Sequence, residues 1–120
     1  MLSSAALAQA PRAASNPVGA WRGTSLCLVR RSACNDELVV YRVTRMKALD
    51  SLSVDARKTV NGQEEEMGVL ACRLTTPGAQ LTCTIPHAVW HFTIRRDSLV
   101  GELVLSDGGK YRDVRTSRSR

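Results

Sequence analysis

The chain has 120 residues, 43% of them apolar, which is the length of one domain and the composition of a globular one rather than a disordered one. The formal net charge is +6, and Arg115, Arg118 and Arg120 supply half of it within the last six residues, so the body is only mildly basic. No aromatic residue is interleaved with those arginines, which removes stacking on single-stranded nucleic acid, and no apolar run approaches the roughly 20 residues of a membrane-spanning helix.

The chain opens on Met1-Leu-Ser-Ser-Ala-Ala-Leu-Ala-Gln-Ala10, small and apolar without charge. Ala6-Leu7-Ala8 and Ala8-Gln9-Ala10 both have the small-x-small form of a signal-peptidase site, and Pro11 after the second favours cleavage after Ala8. The basic start of a signal peptide is missing. Residues 1–18 are therefore expected to be a remnant signal peptide and irregular leader.

From Ala20 the pattern has period two, the mark of half-buried strands. Trp21, Gly23, Ser25 and Cys27 share one face. Val39, Tyr41 and Val43 share another, as do Leu52, Val54, Ala56 and Val60. Asn61-Gly62 predicts a tight hairpin turn, and Glu64, Glu65 and Glu66 are expected to prolong it as a solvated tip. Met67 to Leu74 and Leu81 to Ile85 follow, parted by a turn containing Pro77-Gly78. Trp90, Phe92 and Ile94 alternate next, then Leu99, Gly101, Leu103 and Leu105. The last predicted strand is Lys110 to Arg115, after a turn at Asp107-Gly108-Gly109. β-Branched residues and serines argue against a helix over residues 48–60.

About eight short antiparallel strands with turn chemistry between them predict an all-β, up-and-down barrel. Closure removes the exposed edges of the sheet. A two-sheet sandwich is the competing architecture. The barrel is expected over residues 19–116, with a basic tail over 117–120.

An even number of cysteines without Cys-x-x-Cys favours disulfides over zinc or redox chemistry. Four cysteines allow three connectivities. Cys27 with Cys34, and Cys72 with Cys83, each bracket a turn evenly, so local pairing is expected. Two such staples point to an oxidising, extracytoplasmic compartment. Each adds roughly 2–3 kcal/mol to a domain with few aromatic side chains.

Gly19-Ala20-Trp21 at the head of the first strand resembles the Gly-x-Trp start of the lipocalin and avidin-like (calycin) barrels. The resemblance implies that Trp21 packs at the barrel base beneath an arginine of the last strand. Arg112, on the face of Val114, is expected in that role, and no ligand residues carry over. The chain is also similar in size and strand count to small secreted barrels that inhibit bacterial metalloproteases. By that similarity the leader Gln9 to Pro17 would serve as an inhibitory trunk.

His87 and His91 suit a metal on a helix, but on a strand residues four apart stand about 13 Å apart, too far for one ion. Glu64 to Glu66 lack the spacing of a calcium loop. Asp55, Asp97 and Asp113 read as isolated outward or turn residues. No catalytic, metal or cofactor site is expected. Lys58 shares the face of Val54, Ala56 and Val60. Facing inward it would meet an anionic ligand or an internal carboxylate; at a bent strand end it would snorkel to solvent. Lys58, Tyr41 and Trp90 are the expected ligand-lining residues, with core packing as the other role of the tryptophans. The functional expectation is a small exported binding or interaction protein, its partner a small apolar or anionic ligand or a protein. A secreted protease inhibitor and a small-barrel enzyme are the alternatives.

Overall fold

The computed structural model describes residues 16–29, 33–48, 50–75 and 79–119. Eight strands follow in order: β1 (Gly19–Cys27), β2 (Glu37–Arg45), β3 (Ser51–Val60), β4 (Gln63–Thr75), β5 (Gln80–Ile85), β6 (Ala88–Arg95), β7 (Ser98–Leu105) and β8 (Lys110–Arg118). Each pairs antiparallel with the next, and β8 returns to pair with β1, so the sheet is a closed barrel. The predicted all-β barrel is the fold, and the described residues hold no helix.

Alternation places the core. Trp21, Tyr41, Val43, Leu52, Val54, Leu81, Phe92, Ile94, Leu99 and Val114 point inward and are buried. Burying each large side chain contributes about 1.5–3 kcal/mol, which offsets the scarcity of aromatics. β1 and β8 approach so closely that a Cβ at Gly23 would strike the Arg115 carbonyl. Only glycine lets the barrel close there.

Both disulfides are the expected local pairs, with Cα–Cα distances of 5.8 Å for Cys27–Cys34 and 4.2 Å for Cys72–Cys83. Asn61 (φ 53°) and Gly62 (φ 81°) form a two-residue turn closed by the pair Val60 and Gln63. Two left-handed residues match the twist of the flanking strands.

Three expectations are corrected. Glu64, Glu65 and Glu66 lie in β4, not in a solvated loop, because the tight turn returns the chain to the sheet at Gln63. Glu64 accepts two hydrogen bonds from Arg42, at 2.7 and 3.0 Å, and lies 3.7 Å from Arg22. Together with Arg57, these side chains lie on the outer face around Val40, which is only 1% exposed. Second, β8 runs to Arg118, so Ser117 and Arg118 belong to the barrel rather than to a tail. Third, the aspartates are not isolated: Asp55 pairs with Arg57 at 3.2 Å, Asp97 with Arg118 at 3.5 Å and Asp113 with Lys110 at 3.3 Å. Of the remnant signal peptide and leader expected over residues 1–18, residues 1–15 lie outside the described residues. Asn16, Pro17 and Val18 adjoin the barrel base.

Closure is also uneven. The β4–β5 ladder holds three pairs and ends at Arg73 with Thr82. The Cys72–Cys83 bridge occupies the next position. Beyond it β4 continues down to Gln63 paired with β3 alone.

Candidate functional site

The barrel has two unlike ends. At the base, the start of β1 meets the end of β8, with Trp21 opposite Arg118 in the ladder. The Arg118 guanidinium lies 4.2 Å from the Trp21 ring centre. It donates to the carbonyls of Val18 at 3.0 Å and Asn16 at 2.8 Å, while Trp21 Nε1 donates to Pro17 O at 2.9 Å. Gly19 sits beneath this clamp, where a Cβ would come within 3.1 Å of Arg118 Nη1. Gly19 and Trp21 thus stand where the resemblance implied. The arginine is Arg118 and not Arg112. An antiparallel ladder sets the last residues of β8 against the first of β1, so Arg112 falls opposite Cys27 at the other end.

That other end is a mouth. A cavity of about 300 Å³ opens there. Trp90, Phe92, Ile85, Leu70, Met67 and Ala56 form its apolar wall. Trp90 and Phe92 stack in parallel at 5.5 Å, and Tyr41 meets Phe92 edge-on at 5.7 Å. Alternation brings these side chains inward from β2, β3, β4, β5 and β6, except for Met67, the extra residue of the bulge in β4.

Opposite the wall stands one polar corner built from β1, β2 and β8. Arg112 Nη1 donates to Ser25 Oγ at 3.1 Å and lies 3.7 Å from Glu37 Oε1. Tyr41 borders the same corner beside Ser25. Burial and then the Glu37 carboxylate push the Tyr41 phenol well above its ordinary 10.0, so it stays neutral at physiological pH. The Cys27–Cys34 bridge ties down the β1–β2 connection, and Cys27 N donates to Asp36 Oδ1 at 2.8 Å, which sets Glu37 at the head of β2. Arg112 is a permanent cation with donors to spare beyond Ser25.

Of the three expected lining residues, Tyr41 and Trp90 border the cavity. Lys58 does not. It is half-buried, opposite Val39 and Glu65 in the ladder, past the bulge between Ala56 and Arg57 that turns the strand end away. Sequence reading missed Glu37, Ser25 and Arg112 as a group. Strong alternation around Ser25 and Arg112 was the available signal that two polar side chains point inward.

His91 lies on the outer face and His87 in the β5–β6 turn at φ 68°, so the pair shares no site. Among the described residues no group of three or more His, Cys, Asp or Glu side chains could hold a metal ion. A broader furrow of about 610 Å³ crosses the outer face of β5–β8, past His91, Arg95, Glu102, Lys110 and Arg115. Its charges alternate in sign, and Lys110 is already paired with Glu102 and Asp113 at 3.3 Å. It has the character of a solvated sheet face, unlike the apolar mouth.

Comparisons of the chain with protein-family models, curated proteins and solved structures return no match.

Proposed function

We propose that the chain is a small exported binding protein of the calycin-like barrel type, without a catalytic role. Its mouth takes a small, mainly apolar ligand that carries one anionic or hydrogen-bond-accepting head. The observation that carries this reading is the polar corner of Arg112, Ser25, Tyr41 and Glu37 set against the Trp90–Phe92 wall. Ligand sites are concave, largely apolar and fixed by a few placed polar groups. At about 300 Å³ the cavity is at the small end of the range for such sites. The ionisable groups of the corner engage one another: Arg112 is always charged, Tyr41 is held neutral, and Glu37 faces Arg112. That arrangement supports holding a ligand rather than transferring a proton. The two disulfides support residence outside the reducing cytosol.

The test is a fluorescence titration with an anilinonaphthalene sulfonate, an aromatic probe with one anionic head. Trp90 borders the cavity, whereas Trp21 is fully buried at the base, so quenching should vanish in Trp90→Leu and persist in Trp21→Phe. Arg112→Gln should weaken binding about tenfold, the cost of one charge-assisted hydrogen bond. Failure of the intact protein to bind the probe at millimolar concentration counts against a ligand-holding mouth.

A second reading, protease inhibition by the segment Gln9 to Pro17, has one observation in its favour. The root of that segment is clamped to the base by Arg118 and Trp21. Deleting residues 9–15 should then abolish inhibition of a secreted metalloprotease, and inhibition that survives the deletion removes this reading.

A further inference from the structure

The seam between β4 and β5 leaves a strand edge inside a nominally closed barrel. Alternate residues of a strand direct their backbone groups to opposite neighbours. Leu74 N donates to Asp50 O at 2.8 Å, on the β3 side of β4. Even-numbered residues down to Gly68 therefore face β3, and Arg73, Ala71 and Val69 face β5. Arg73 finds Thr82 there, but Ala71 and Val69 lie past the end of the ladder. Beyond the extra residue at Met67 the phase shifts by one. The closing pair Val60 with Gln63 must be hydrogen-bonded across its two-residue turn, so Glu64 and Glu66 also turn their backbone groups away from β3. The edge from Glu64 to Ala71 thus presents N–H and C=O groups to a space where no described strand pairs with them.

Side chains on this edge have an uneven character. Val69 is 61% exposed and Met67 41%. Glu64 is neutralised by Arg42 and Arg22, whereas Glu65 and Glu66 are exposed, opposite Lys58 and Arg57 of β3 but with no ion pair within 4.0 Å among the described residues. An apolar stretch is therefore followed by an acidic one whose Glu65 and Glu66 carboxylates are open to solvent.

The geometry points to strand addition at this edge: an extended peptide segment of a partner protein, apolar in its first half and carrying lysine or arginine in its second, pairs antiparallel with Glu64–Ala71. Main-chain hydrogen bonds to Val69 and Ala71 supply affinity, as in other edge-adding recognition. Apolar side chains cover Val69, and basic ones meet Glu65 and Glu66. Antiparallel pairing gives the order, since a partner strand starts opposite Ala71 and ends opposite Glu64. A second copy of the chain fits less well. Two-fold pairing about Met67 and Gly68 would set Glu66 against Val69 and Glu65 against Leu70, and would bring no base to the carboxylates. The inference uses main-chain groups of β4 rather than Arg112 or Trp90, although Met67, Gly68 and Leu70 of this edge also border the mouth.

The experiment is an amide chemical-shift titration of the full chain with a capped peptide of about eight residues, valine alternating with threonine and ending in two lysines. Shifts confined to residues 64–71 and 83–85 are expected, with affinity that falls as salt rises. Val69→Pro removes one seam-facing donor without touching the β3 ladder, and should weaken binding about tenfold or more. The pair Glu65→Lys and Glu66→Lys, both on exposed side chains, should weaken the basic peptide and favour one ending in two aspartates. Three results overturn the proposal. These are shifts centred on the outer furrow of β5–β8, unchanged affinity in the charge-reversed protein, and self-association through β4 seen by sedimentation.

Discussion

Arg118 lies over the Trp21 ring, its guanidinium carbon 4.2 Å from the ring centre, while the same group holds the carbonyls of Asn16 and Val18. One side chain thereby plugs the barrel base and fastens the chain that leads into it. Lysine would keep the charge but lose the planar stacking and the two-armed clamp. Arg118→Lys should cost about 1–2 kcal/mol in urea unfolding. Arg112→Lys should leave the base intact, with amide protection at residues 18–21 unchanged. Equal loss of protection there in both variants would contradict the separation of the two arginines.

Gly23 marks a close contact of β1 with the β8 backbone. Gly23→Ala is expected to destabilise by about 3 kcal/mol, near the upper end for overpacking, because the obstacle is backbone and not a side chain that can swing aside. Gly62→Ala serves as a comparison, since no atom lies within 4 Å of its Cβ position and only the left-handed φ of 81° resists it. The Gly23 variant should lose more; a smaller loss than at Gly62 would mean the β1–β8 seam can widen.

Period-two patterning made most of this barrel legible, because inward and outward alternation is local to each strand. Asn61-Gly62 was legible for the same reason. The end of β8 was not. Thr116 holds an inward position by donating its hydroxyl to Leu99 O at 2.8 Å, a polar solution that hydropathy does not register. Stopping the strand before Thr116 hid Arg118 and passed its role to Arg112. The three glutamates read as loop for a related reason: the two-residue turn returns the chain at Gln63 to a ladder with β3, where Arg42 of another strand holds Glu64. The mouth corner joins Ser25, Glu37 and Arg112 across β1, β2 and β8, a register no single segment carries. Local chemistry thus revealed the strands and staples, while their meeting points had to come from the fold.

Acid should test the outer-face arginine cluster. Hydrogen bonds from Arg42, opposed in part by desolvation, hold the Glu64 carboxyl below its ordinary 4.5. A folded-state value below the unfolded one means that Glu64 stabilises the fold above its ordinary value and ceases to do so as pH falls through the folded value. Melting temperature should therefore fall less on acidification in Glu64→Gln than in the natural chain. Identical acid profiles would mean that the ion pair has no net effect, as exposed pairs sometimes do not.

Alkali should test the mouth. Burial raises the Tyr41 phenol above its ordinary 10.0, so the folded state keeps a proton that the unfolded state releases. Stability is then complete below that value and declines as pH rises beyond it. Tyr41→Phe should flatten this decline in denaturant midpoints measured from pH 9 to pH 11, a window set about the ordinary tyrosine value. A decline of unchanged steepness would place the alkaline-sensitive group elsewhere.

The two disulfides should differ in what they protect. Cys27→Ala with Cys34→Ala frees the β1–β2 connection and should loosen the mouth corner, raising exchange at Glu37 and Leu38. Cys72→Ala with Cys83→Ala removes the bridge next to a ladder of only three pairs, and should raise exchange at residues 73–75 and 80–82. Each pair of changes is expected to cost about 2–3 kcal/mol. Uniform exchange in both variants would mean that the barrel opens only as a whole.

The clamp of Arg118 on Asn16 and Val18 also gives the molecule a polarity. The chain enters beside Trp21, and β8 finishes against the same spot, so both ends depart from the plugged pole. The mouth faces the opposite way. The described chain joins its flanking residues at the pole opposite the cavity rim. The barrel is thus a cup whose chain ends leave from its closed foot.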